Sequence, residues 1–292
     1  MTDPDTRTLE VPGATITYDV RGPLPQSDGR PPLVMIGQPM DAGGFATLAS
    51  HFPERTVVTY DPRGLGRSTR NDGRNDNDPN QQAEDVYSVI GALDAGPVEL
   101  FASSGGAVTA FALVTAHPEA VTTLVAHEPP LITVLPDADQ AAAAERDMQS
   151  IYHEKGWGHG MAAFIAMTSW QGELTDEFAA QPAPDPAQFG MPADDDGSRI
   201  DPLLSGVSNA ITAYVPDVDA LTLAPTRIVL AAGVESEGTF TGRTAAATAE
   251  ALDLPLVVFP SHHGGFMGGE LGYAGEPEAF AARLHEVLDG GR

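Results

Sequence analysis

The sequence predicts an α/β fold: a mostly parallel, twisted sheet with helices on both faces and an inserted helical cap. Three observations predict it. Short apolar runs recur along the 292 residues, and such runs are typical of strands buried on both faces. Amphipathic stretches of helical period lie between them, and strands alternating with helices form a parallel sheet covered on both sides. The alternation then breaks between Pro129 and Ala224 before it resumes.

In chain order, Val11 to Arg21 alternates through Ala14-Thr15-Ile16-Thr17-Tyr18-Asp19-Val20 and reads as an early antiparallel strand. A turn rich in Pro, Gly and Ser follows. Leu33-Val34-Met35-Ile36 and Val57-Val58-Thr59-Tyr60 are the next strands. Gln81 to Leu93 is a helix, with Ala83, Val86, Val89, Ile90 and Leu93 on one face. Val98-Glu99-Leu100-Phe101-Ala102 is a strand, Gly105 to Ala116 a helix, and Thr123-Leu124-Val125-Ala126 another strand. After the break come the strands Arg227 to Ala232 and Pro255 to Phe259, with helices Thr241 to Leu252 and Glu276 to Leu288.

The break holds both tryptophans and an acidic, Pro-rich segment from Gln181 to Pro202. It reads as a cap inserted into one core. The expected division is 1–129 core, 130–221 cap and 222–292 core. An independent second domain is the alternative. Trp157, Met161, Met167 and Trp170 are the cap residues expected to wall a largely apolar pocket.

Composition excludes several functions. Fifteen basic and 41 acidic residues give a net charge of −26, so the Lys/Arg clusters that neutralise phosphates are missing and nucleic acid is not an expected partner. Anionic membrane surfaces are disfavoured for the same reason. The acidity either keeps the protein soluble or marks a salt-adapted source. There is no cysteine, which excludes disulfides, Cys-ligated zinc and a thiol nucleophile. The N-terminus has neither a basic n-region nor an apolar h-region. The apolar run Leu100 to Ala116 carries Ser103, Ser104, Gly105 and Gly106, a poor membrane span. The expected location is the cytoplasm. No cofactor is implied, and self-association into a homo-oligomer stays open.

The segment Leu100-Phe101-Ala102-Ser103-Ser104-Gly105-Gly106-Ala107 carries the chemistry. It fits small-x-Ser-x-Gly between an apolar strand and a small-residue helix, the setting of a nucleophile elbow. A sharp strand-to-helix turn lifts the Ser104 hydroxyl above the sheet edge. It also places it at a helix N-terminus, where backbone N–H groups can meet a developing oxyanion.

With Ile36-Gly37-Gln38-Pro39 after the first buried strand, and Asp61-Pro62-Arg63-Gly64-Leu65-Gly66-Arg67-Ser68 after the second, the chain resembles the α/β-hydrolase superfamily. The resemblance covers roughly residues 10–128 and 222–290. It departs at Ile36, where most members have His. It implies that the backbone N–H groups of Gln38 and Gly105 form an oxyanion hole, and that Arg63 is structural.

The resemblance also implies a histidine base in Phe259-Pro260-Ser261-His262-His263-Gly264. The family's Pro-Gly-x-His spacing selects His263 over its neighbour His262. A metal half-site at this pair lacks a third ligand with recognisable spacing. The acid has two candidate sites. In Gly233-Val234-Glu235-Ser236-Glu237, Ser236 stands where an aspartate is usual and Glu235 is the alternative acid. In Val125-Ala126-His127-Glu128-Pro129-Pro130, Glu128 ends the strand after the nucleophile helix, a place where certain dehalogenases and zearalenone-type lactone hydrolases carry their Glu. Glu128 is preferred, which gives the order Ser104, Glu128, His263.

The reading that follows is a serine hydrolase acting on a small-molecule ester or lactone through an acyl-enzyme. Three alternatives remain open, one of them a biosynthetic tailoring role such as cyclisation or lactone opening. The same triad runs carbon–carbon bond hydrolysis and cofactor-free perhydrolysis. A ligand receptor would keep the pocket with little or no turnover.

Overall fold

The computed structural model describes residues 3–272 and 274–290. Its first strands, β1 (Asp5–Val11) and β2 (Ala14–Arg21), form a hairpin in which Val11 faces Ala14. The sequence reading had a single strand from Val11. Pro12 and Gly13 instead turn the chain, with Gly13 at φ 77°, the left-handed value that the third residue of a Pro-Gly turn requires. β1 escaped notice because it is partly exposed and carries little apolar signal.

The chain continues through β3 (Leu33–Gln38), α1 (Ala46–Ser50), β4 (Val57–Tyr60), the short β5 (Thr69–Arg70) and α2 (Pro79–Leu93). Then come β6 (Val98–Ser104), α3 (Gly105–Ala116) and β7 (Val121–His127). Between β7 and β8 lie α4 (Ala138–Lys155), α5 (Trp157–Ser169) and the short α6 (Asp176–Ala179), α7 (Asn209–Thr212) and α8 (Val218–Leu223). The chain ends with β8 (Arg227–Gly233), α9 (Phe240–Ala251), β9 (Leu256–Phe259) and α10 (Pro277–Asp289).

The strands form one sheet in the order β1-β2-β4-β3-β6-β7-β8-β9, with β5 on β2. β3, β4, β6, β7, β8 and β9 run parallel; β1, β2 and β5 are antiparallel additions at one side. Side chains alternate across the pleat. Val34, Ile36, Leu100 and Ala102 therefore pack with α2 and α3 on one face. Leu33, Met35 and Phe101 pack with α1 and α10 on the other. This double burial is why the central strands read as continuous apolar runs.

α2 begins where predicted, to within two residues. Asp78 accepts a hydrogen bond from the N–H of Asn80, and Pro79 fills the first helical position. The segment between β7 and β8 has its own small cores. Tyr152, Met148, Ala163 and Leu204 form one. Ile132, Leu135, Met167 and Leu174 form another that includes Phe240 of α9. Asp137 ties the segment further to α9, pairing with Arg243 and accepting the N–H of Leu174 at 2.7 Å.

The loop after β4 is held by charge. Arg63 makes a buried two-pronged pair with Asp85, at 2.7 and 2.6 Å. A buried pair of this kind fixes geometry more than it stabilises. Among the described residues no helix is long and apolar enough to cross a membrane.

Candidate active site

Parallel sheets of this type bind ligands beyond the carboxyl ends of their strands. There β6 runs straight into α3 through Ser104. The turn is so sharp that Ser104 adopts φ 57°, ψ −132°, a region that non-glycine residues occupy only under constraint. The constraint is close approach. A Cβ on Gly106 would fall 2.7 Å from the Cα of Gly37, and one on Gly105 would fall 2.8 Å from the carbonyl oxygen of Gln38. Glycines at 105 and 106 thus let α3 press against β3.

Gln38 pairs in register with Ser104 across the sheet. Gly105 opens α3, so its N–H is among the first-turn donors that a helix leaves unbonded. Both residues line the same pocket as Ser104.

The carboxylate comes from the end of β7. Glu128 is fully buried and adopts φ 49°. Its Oε1 accepts the N–H of Gly233 at 2.8 Å. Its Oε2 accepts the hydroxyl of Thr241 at 2.6 Å and meets Nδ1 of His263 at 2.6 Å. Burial pushes this carboxyl up, but His263 and the surrounding donors more than offset that and hold it well below the usual carboxylate range. The site therefore retains a buried anion, and its hydrogen-bonded oxygen orients the His263 ring.

The neighbouring residues are placed differently. His262 also lines the pocket, but its Nδ1 accepts the N–H of Gly264 at 3.0 Å within its own turn. Glu235 is exposed at the pocket rim, and its backbone N–H donates to the carbonyl of Ser261 at 3.0 Å. The structure thus brings His263 and Glu128 together and leaves Glu235 outside that contact.

His127 lies beneath the pair. It is fully buried, its Nδ1 is 3.1 Å from the Ser103 hydroxyl, and its ring stacks on His263 at 6.0 Å. Burial lowers its pKa to about 4.

The pocket beside Ser104 encloses about 310 Å³. Its apolar walls are Pro39, Pro130, Phe164, Leu203, Ile211 and Phe240. The expected cap residues do not line it, and the helix geometry explains why. Trp157 and Met161 lie on the same stripe of α5 as Phe164 and Thr168. At 1.5 Å per residue, however, Trp157 sits about 10 Å and Met161 about 4.5 Å further up the axis than Phe164; both pack with Tyr152 and Leu204, a cluster whose edge Phe164 also touches. The indole N–H of Trp157 donates to Asp201 at 2.9 Å. Met167 and Trp170 face away, into the cluster with Ile132 and Leu174. The α5 residues that reach the pocket are Phe164, Thr168 and Ser169.

Sequence reasoning also missed Thr241 and Gly233 as donors to Glu128. Gly233 left a signal, since a glycine closing a strand invites close approach; a Cβ there would fall 2.4 Å from the Ser261 carbonyl oxygen. Thr241, in the first turn of α9, left none.

The chain has relatives of known fold. A family profile described as alpha/beta hydrolase fold matches residues 31–156. A Bacillus subtilis (strain 168) protein named "Uncharacterized hydrolase YraK" is 30% identical over 287 residues, spanning 97% of this chain and 95% of the relative. A thermophilic esterase from Thermogutta terrifontis superposes with a TM-score of 0.64 at 20% identity, covering 99% of each chain. The enol-lactonase from Burkholderia xenovorans LB400 superposes at 0.63 and 15% identity, over 97% of this chain and all of its own. At these identities the two solved structures are likenesses of fold.

Proposed function

The chain belongs to the α/β-hydrolase family and is a hydrolase, and from that premise we propose that it cleaves a small carboxylic ester or lactone by serine catalysis. One observation carries the reading. The 2.6 Å contact between His263 Nδ1 and the buried Glu128 carboxylate sits at the wall of a pocket that also holds Ser104 on its strained turn.

In this reading Nε2 of His263 takes the Ser104 proton as Oγ attacks the carbonyl carbon. Glu128 holds Nδ1–H and stabilises the imidazolium that forms. The N–H groups of Gln38 and Gly105 bind the oxyanion. His263 then returns the proton to the leaving alkoxide. Water, deprotonated by His263, attacks the acyl-enzyme and releases the acid. The segment 130–221 acts as the cap and supplies Pro130, Phe164, Leu203 and Ile211 to the acyl side of the pocket.

The test is a fluorophosphonate probe together with a panel of short p-nitrophenyl esters and lactones. Ser104 should be labelled, and Ser104→Ala should lose both labelling and turnover while keeping its circular dichroism spectrum. Turnover retained by Ser104→Ala would overturn the reading. A folded wild-type protein that is neither labelled nor active would favour a ligand-binding role.

A further inference from the structure

His127 is fully buried and takes no part in the chemistry set out above. Phe101, Phe259, Phe266 and Phe280 surround its ring, and the titratable groups that face it are Glu128 and His263. Its hydrogen-bond partner is Ser103, also buried, whose Oγ lies 3.1 Å from Nδ1. Nε2 is 3.7 Å from Oε1 of Glu128, too far for a hydrogen bond. A carboxylate at that distance still favours a proton on Nε2, so Nδ1 accepts the Ser103 hydroxyl. A polar pair in an aromatic nest contributes little to stability, since apolar groups of the same shape would serve about as well.

Its place in the sheet points to a different role. Ser103 and His127 are register partners across β6 and β7. The residue after Ser103 is Ser104, at φ 57°, and the residue after His127 is Glu128, at φ 49°. Both hold a positive φ that favours glycine, and such residues persist only where the surrounding structure over-determines them. The two are otherwise held from opposite sides. Ser104 is in register with Gln38 of β3. Glu128 is fixed on β8 and α9, where its N–H donates to the Ala231 carbonyl at 2.9 Å and its carboxylate accepts from Gly233 and Thr241. The Ser103–His127 hydrogen bond joins these halves, one residue before Ser104 and one residue before Glu128.

We propose that Ser103 and His127 are positioning residues, whose hydrogen bond clamps β6 to β7 and sets where Ser104 stands relative to the Glu128–His263 pair. Neither touches substrate. The His127 ring also stacks on that of His263 at 6.0 Å, so a shift of β7 would move the acid and the support of the base together. This inference rests on the serine-hydrolase reading and adds two residues to its machinery.

The test uses Ser103→Ala and the double variant Ser103→Ala/His127→Phe on a neutral p-nitrophenyl ester. The alanine removes the link and leaves the ring in place. Its kcat should fall about fivefold, the size of one hydrogen bond, with KM within about twofold of wild type. The acid limb of kcat/KM, which follows His263 in the free protein, should move to lower pH by about half a unit, because a looser contact with Glu128 stabilises the imidazolium less. A loss of packing alone would lower the rate without moving that limb. The double variant removes both polar side chains and leaves neither orphaned, so it keeps the fold even where Ser103→Ala does not, and it should show the same loss of kcat. Wild-type kcat in either variant, or a loss with an unmoved acid limb, overturns the proposal. Fluorophosphonate labelling of Ser104 is followed throughout. Labelled wild type with unaffected variants overturns this proposal alone, whereas unlabelled wild type overturns the serine-hydrolase reading and this one with it.

Discussion

Thr241 and His263 meet at a single atom, Oε2 of Glu128, each at 2.6 Å. The threonine comes from the first turn of α9 and the histidine from the loop after β9. The carboxylate arrives from β7, while Oε1 is held by the Gly233 N–H at the end of β8. The buried Ser236, which occupies the position where an aspartate is usual, adds a hydroxyl that helps keep Glu128 ionised. Apart from His263, the donors around this point thus come from the β8–α9 connection, while the carboxylate comes from the neighbouring strand.

Thr241→Val keeps the shape of the side chain and removes one donor to the anion. Hydrogen bonds to charged groups contribute about 1.5–3 kcal/mol, so kcat should fall about tenfold or somewhat more. KM should change little, because Thr241 acts through Glu128. Thr241→Ser should recover most of the rate. Steady-state kinetics on a p-nitrophenyl ester checks this, and equal losses in the Val and Ser variants would speak against it.

Glu128→Gln should lower kcat by about 10³–10⁴-fold, the scale seen when a triad acid is replaced by its amide. Glu235→Gln, at the exposed rim, should stay within about threefold of wild type. The paired measurement identifies the acid, and the opposite ranking would move the role to Glu235.

Stability should fall on the acid side in a step that belongs to His127. Its pKa drops from 6.5 to about 4 in the folded chain, so between these values the unfolded chain binds the extra proton. Stability from keeping this ring neutral is complete above about pH 6.5 and is lost as pH falls toward 4, on the order of 3 kcal/mol in all. Glu128, with its lowered pKa, acts in the same direction below the ordinary carboxylate range. His127→Phe, in a nest of Phe101, Phe259, Phe266 and Phe280, should flatten the dependence between pH 6.5 and 4. Urea unfolding at a series of pH values reads this directly, and an unchanged slope would refute it.

Phe164→Ala enlarges the pocket and should change the acyl-chain preference, raising KM for short esters several-fold. Met161→Ala should leave the preference intact, because Met161 packs with Tyr152 and Leu204 and does not line the pocket; Phe164 touches the same cluster, so both variants should lower the melting temperature. An ester-length series separates the two variants, and thermal melts read the shared loss.

The sequence by itself determined the sheet and the elbow. Both depend on near neighbours: doubly buried strands show as unbroken apolar runs, and the turn at Ser104 needs glycines at 105 and 106 to bring α3 against β3. The hairpin of β1 and β2 was half legible, because Pro12-Gly13 is a local turn signal while the exposed face of β1 has no apolar pattern. Only the tertiary structure decided the rest. His262 and His263 are adjacent, and Glu128 and Glu235 both end strands, so their chemistry is equivalent along the chain. They part in space because the turn at His262 binds its own backbone, while Glu128 is carried inward to the donors of β8 and α9. The pocket wall was decided in the same way. Trp157, Met161, Phe164 and Thr168 share one helical stripe, and only the position of α5 over the end of the sheet determines that Phe164 and Thr168 reach the cavity.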